Sequence, residues 1–147
     1  VRGVTIRPFP AMENLNFDFG RDPDANAMYL FAVGGVRFLH MGDIGNPLSQ
    51  GQIDALRGKV DVLLALAGAH ATIALGDLDA AIAAIGPRAV IPMHYFSPRG
   101  VLKILPVDDF LARHPAEAIT RVGATSLELT PETLPESLRI YVLEQSR

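Results

Sequence analysis

The sequence predicts a layered α/β domain, and three observations point there. Short apolar runs of strand length recur along the chain, several rich in β-branched residues. Segments with helix start and stop signals fall between them. Two of the runs end abruptly in a polar side chain, as buried strands do when they reach the rim of a sheet. With 147 residues, 49% of them hydrophobic and 20% charged, the chain can build a real core rather than stay disordered.

In chain order, Val4–Phe9 alternates and predicts a strand, and residues 10–27, rich in Asn, Asp, Gly and Pro, predict a loop. Met28–Val33 and Val36–His40 flank Gly34-Gly35, which is a hairpin signal. Ser49-Gln-Gly-Gln52 has the form of a capping box and predicts a short helix to about Leu56. Val60–Leu66 is a continuous apolar run, so a strand buried on both faces. Residues 68–76 predict a loop. Leu75–Ile85 is Ala-rich, carries Asp77 and Asp79 near its start and stops at Gly86-Pro87, so it predicts a helix. Arg88–Met93 predicts another buried strand, residues 94–106 a loop and Val107–Arg113 a short helix. Ile119–Val122, Ser126–Leu129 and Leu138–Leu143 predict closing strands. No repeat, low-complexity tract or linker interrupts the chain, so residues 1–147 are expected to form one domain.

The segments that carry chemistry are His40-Met-Gly-Asp43 and Pro92-Met-His-Tyr95, each at the end of an apolar run. Carboxylate and imidazole are donors that suit Zn²⁺, Mn²⁺ or Fe. Two donors do not fill a metal shell, and the sequence has no cluster of His and Asp to complete one.

The stretches Gly35-Val-Arg-Phe-Leu-His-Met-Gly-Asp-Ile-Gly45, Val60-Asp-Val-Leu-Leu64 and Pro87-Arg-Ala-Val-Ile-Pro-Met-His-Tyr95 resemble the metallo-β-lactamase fold superfamily, in order and spacing. The branch they resemble most is that of metal-dependent hydrolases similar to the ascorbate-phosphate lactonase. The resemblance runs from about Val4 to Leu143 and covers the family's second half. It implies half of an αββα sandwich, with one mixed sheet and helices on one face. Residue by residue, it implies that Asp43 is the aspartate bridging two metal ions and His94 the last histidine ligand. The expected cofactor is a divalent metal, zinc or manganese, and this chain by itself is not expected to build the two-metal centre. The family's His-x-His-x-Asp-His cluster belongs to a first half that this sequence does not contain, and a further histidine ligand would fall where Glu13 stands.

The function implied is hydrolysis of an ester, lactone, amide or phosphodiester in a small-molecule substrate. The chain would be a carboxyl-terminal fragment, inactive alone, completed by its missing amino-terminal half. The alternative is a truncated, non-catalytic half-fold in which a second copy covers the sheet, giving a homo-oligomer. The start at Val1, without Met, suggests a chain cut from something longer.

Each candidate has a plainer reading. Asp43 could simply stabilise a Gly-Asp-Ile-Gly turn. His94 could be a hydrogen-bonded histidine at a strand end. His40 is expected to pack or to support Asp43, ahead of direct ligation. His70 reads first as a solvated loop residue, otherwise as a substrate contact or proton carrier. The Tyr95 ring is expected to pack, with its hydroxyl the less favoured role. His114 reads as a cation at a helix C-terminus. Glu13 reads first as a solvated acid.

A net charge of −3 with scattered Lys and Arg argues against nucleic acid. No apolar run is long enough to span a membrane. No Gly-rich phosphate loop follows a strand, which argues against a nucleotide binder. The absence of cysteine excludes thiolate chemistry and fits a reducing, cytoplasmic compartment.

Overall fold

The computed structural model describes residues 3–13, 21–70 and 72–145. Seven strands form one mixed sheet: β1 (Ile6–Ala11), β2 (Asn26–Val33), β3 (Val36–His40), β4 (Val62–Leu66), β5 (Ala89–Met93), β6 (Ile119–Arg121) and β7 (Arg139–Val142). Their spatial order is β1-β2-β3-β4-β5-β7-β6. The β1–β2 and β2–β3 pairs are antiparallel, and every pair from β3 to β6 is parallel. The helices are α1 (Gln50–Leu56), α2 (Leu75–Ile85) and α3 (Val107–Leu111).

Local chemistry accounts for most of these elements. Gly34 and Gly35 both have positive φ, 58° and 81°, and close the β2–β3 hairpin in the two-residue turn expected of them. Ser49 and Gln52 form a complete capping box, and Gln52 also donates from Nε2 to the carbonyl of Pro10. Helix α2 ends at Gly86 in the left-handed conformation. Strand β4 starts at Val62 rather than Val60, because Asp61 is a peg. Its carboxylate takes two bonds from the Arg37 guanidinium, at 2.8 and 2.6 Å, and one from the Arg37 amide. The Arg37 side chain holds the Asp61 carboxyl below the usual carboxylate range. That pairing anchors the register of β3 on β4.

All three helices bury their apolar sides on one face of the sheet. Leu56, Leu78, Ile82, Ile85, Phe110 and Leu111 share a core with Met28, Leu39, Leu63, Val90 and Ile140. The opposite face carries Val36, Phe38, Val62, Leu64, Ala89 and Ile91. It is partly covered, which corrects one expectation. Residues 126–129 are not a strand; Leu129 and Leu134 instead lie across this face. Thr130-Pro-Glu-Thr133 closes a side-chain turn there through Thr130 and Thr133, and Pro131 has no amide to give to a ladder. Ile6, Tyr29 and Val33 remain exposed at 55%, 41% and 51%. Phe31 stacks on Phe38 beside them. A loop over all of 10–27 is also corrected, since β1 takes Pro10 and Ala11 and β2 takes Asn26 and Ala27. Residues 14–20 of that loop lie outside the described residues. No helix among the described residues is long and apolar enough to cross a membrane.

His114 lies beyond the end of α3, with its ring edge against Phe110 and its Nε2 3.4 Å from Asp79 Oδ1. Arg113 pairs with the same Asp79. Burial pushes the His114 pKa below the ordinary histidine value, with Asp79 opposing and Arg113 reinforcing. Burial of most of the ring thus works against the expected helix-terminal cation. The unfolded chain binds this proton more tightly than the folded one, so stability should fall as pH drops below about 6.5 and level off below the depressed folded value. Thermal unfolding between pH 7 and 5 should be less pH-dependent in His114→Gln than in the parent. Equal slopes would sink this assignment. His40, whose pKa burial also lowers, keeps part of the slope in both.

Candidate metal centre

Asp43 and His94 come from loops at the carboxyl ends of β3 and β5, two strands that are not neighbours. Strand spacing is about 4.8 Å, so β3 and β5 run about 10 Å apart with β4 between them. Even so, His94 Nε2 lies 3.5 Å from Asp43 Oδ1. The two loops converge across the end of β4, whose last residues make this possible. Beyond Leu66 the chain reads Ala67-Gly68-Ala69, with little side chain to obstruct them. Backbone bonds tie the three loops together. The Met41 amide donates to Leu64, Ala67 to Met93, Leu105 to Gly68 and Ile73 to Ile44.

Two glycines are seated where no side chain fits. Gly42 has φ +64°, and a Cβ there would overlap the Ala27 carbonyl oxygen and stand 2.8 Å from Asn26 Oδ1. A Cβ on Gly68 would overlap the His94 carbonyl oxygen and stand 3.0 Å from Ile104 Cδ1. Left-handed backbone gathers in the same place. Among the described residues, the non-glycine residues with positive φ are Ala69, His70 and His94, at 50°, 60° and 50°. Such conformations cost of order 1–3 kcal/mol each and collect at functional sites. Pro92 also makes sense here. Strand β7 pairs only with Ala89 and Val90, so Pro92 sits where β5 has a neighbour on the β4 side alone.

The remaining candidates divide clearly. His40 is half-buried, and its Nδ1 accepts the Gly42 amide at 2.9 Å. Tyr95 packs its ring against the helix-side core. His70 is exposed, and no hydrogen bond or ion pair joins it to Asp43 or His94. Glu13 follows Met12, whose carbonyl accepts the Gly45 amide, so Glu13 flanks the Asp43 turn without joining a ligand group. What sequence reasoning missed is the pair of glycine seats and the left-handed His94. Gly42 was visible within its Gly-Asp turn, whereas nothing local marks Gly68.

Asp43 is 52% exposed and His94 27%. His94 Nδ1, however, is buried and has no hydrogen-bond partner among the described residues. It is the nitrogen on the other side of the ring from the one that faces Asp43. Carboxylate and imidazole fit a divalent metal in kind and in proximity. A zinc centre takes at least three protein donors, and no group of three His, Asp or Glu able to hold an ion occurs among the described residues. The pair is therefore part of a shell and not a whole one.

Residues 1–94, ending on His94 itself, match the profile of the beta-lactamase superfamily domain. The chain belongs to that superfamily. It is 31% identical over 96 residues to a UPF0173 metal-dependent hydrolase of Thermococcus onnurineus, which covers 65% of this chain and 42% of that protein. A structure from Thermotoga maritima, proposed as a Zn-dependent hydrolase of the metallo-β-lactamase superfamily, superposes with a TM-score of 0.76 at 29% identity. That superposition covers 97% of this chain and 66% of the other. A proposed metal-dependent hydrolase from Parabacteroides distasonis shares the fold, with a TM-score of 0.52 at 19% identity over 74% of this chain and 46% of its own. This superfamily member thus spans less than half of the curated relative and about two thirds of the Thermotoga structure. The expected fold, one mixed sheet with helices on one face, agrees with these likenesses.

Proposed function

We propose that residues 1–147 are one domain, the carboxyl-terminal part of a metal-dependent hydrolase, in which Asp43 and His94 are two of the metal's protein ligands. The observation that carries this reading is their 3.5 Å approach from two non-adjacent strands. Supporting it are the relatives described as metal-dependent hydrolases. Oxygen and nitrogen donors suit zinc or manganese. Such an ion would supply Lewis-acid polarisation of a carbonyl or phosphoryl group. Within this chain, Asp43 offers a carboxylate oxygen and His94 an imidazole nitrogen, and the Gly42 and Gly68 seats hold both in place. The substrate is a small-molecule ester, lactone, amide or phosphodiester, and the lactonase-like branch is the one the motifs favour. The remaining ligands come from a first half that packs on the face carrying Ile6, Tyr29 and Val33, which is apolar and exposed.

Zinc titration of the purified chain, followed by calorimetry and by the resonances of Asp43 and His94, tests the reading. The two donors by themselves should take up zinc weakly, both residues should respond, and Asp43→Ala and His94→Ala should each weaken that uptake at least about tenfold. Unchanged affinity in both variants rejects the site. The exposed face also favours a second reading, in which two copies pair without catalysis. A chain that associates yet takes up no ion supports that one instead.

A further inference from the structure

The His40 imidazole occupies an unusual local position. Its Nδ1 accepts the amide of Gly42, two residues on, at 2.9 Å. That is the bond an Asn or Asp side chain makes in an Asx turn, with the acceptor atom the same number of bonds from the backbone. The peptide it grips is already confined on the other side. Gly42 stands against Ala27 and Asn26 at the start of β2 with no room for a side chain. Strand pairing also fixes His40 itself, opposite Tyr29 on one side and Leu64 on the other. The next residue after Gly42 is Asp43.

We propose that His40 is a positioning residue for Asp43: by accepting the Gly42 amide at Nδ1 it locks the peptide that presents the Asp43 carboxylate, and it takes no place among the metal ligands. The proposal rests on the reading of Asp43 as a ligand. Its chemical consequence is a defined tautomer. A ring whose Nδ1 lone pair is engaged by an N–H, and which is neutral, carries its proton on Nε2. Neither nitrogen then has a lone pair free for an ion. Burial favours the neutral ring, in keeping with this arrangement.

Three variants separate this role from ligation and from packing. His40→Asn keeps an acceptor at the δ position. His40→Gln moves the polar group outward, to the place of Nε2. His40→Leu keeps bulk without an acceptor. The readouts are the His40 tautomer from long-range nitrogen–proton spectra, the exchange rate of the Gly42 amide, and zinc affinity. In the parent chain the Nε2–H tautomer is expected, with a protected Gly42 amide. In Leu and Gln the amide should exchange faster and zinc affinity should fall about 10–100-fold, whereas Asn should restore both. An Nδ1–H tautomer, rescue by Gln rather than Asn, or zinc bound directly at a His40 nitrogen would overturn the proposal. If zinc leaves Asp43 and His94 of the parent chain untouched, the metal reading fails separately. The tautomer and the Gly42 amide still decide whether His40 holds the turn.

Discussion

Replacing Gly42 by alanine should destabilise the chain by about 2–5 kcal/mol and disorder the turn that carries Asp43. Two costs add. Holding a non-glycine residue at φ +64° costs about 1–2 kcal/mol. The new Cβ also has nowhere to go, since it would overlap the Ala27 carbonyl oxygen and press on Asn26 Oδ1. The obstacle is backbone of β2, which is paired to both β1 and β3, so it cannot swing aside as a side-chain tip would. Overpacking of this kind costs about 1–3 kcal/mol or more. A denaturant series would show the loss as a lower midpoint with an unchanged slope. If Gly42→Ala unfolds at the same midpoint as the parent, the close approach of β2 is not what confines this turn.

Gly68→Ala should be comparably harmful for a different reason. The backbone of Gly68 is not left-handed, so the cost is steric alone, about 1–3 kcal/mol. Its Cβ would displace the His94 carbonyl and crowd Ile104. The same stretch accepts the Leu105 amide, and Leu105 accepts the Phe96 amide, so the displacement spreads along the loop that carries His94. His94 holds a left-handed backbone at φ 50°, and pushing its carbonyl gives it a route to relax into an ordinary conformation. The imidazole would then leave Asp43. The distinguishing measurement is a His94–Asp43 contact by nuclear Overhauser effect alongside the unfolding curve. A variant that loses stability but keeps the contact would show that Gly68 serves packing and not the site.

The residues 49–56 illustrate what a sequence reveals well. A capping box and a C-terminal stop act over three or four residues, so Ser49, Gln52 and Gly86 announced their helices correctly. The Gly34-Gly35 hairpin is local for the same reason. Residues 126–129 illustrate the opposite. Their alternation suits a strand, but the sheet already ends with β7 and β6, and Leu129 and Leu134 are worth more lying across its open face. His114 misled similarly. Its distance from a helix end is readable in sequence, but its burial against Phe110 and approach to Asp79 of α2 are not.

The candidate site divides along the same line. Asp43 and His94 stood out because each follows an apolar run, and a strand end is a property of a few consecutive residues. That they meet is not such a property. It depends on parallel pairing of β3, β4 and β5, on a β4 terminus without bulk, and on two glycines whose neighbours lie in other strands or loops. The sequence by itself determined the elements, the strand-end residues and the choice of donors, because these rest on local conformational preference and side-chain chemistry. Only the tertiary structure decided the 3.5 Å approach, the bond from Gly42 to His40 and the strained backbone of His94, because each is set by contacts between segments that chain order leaves apart or by a ring orientation that packing selects.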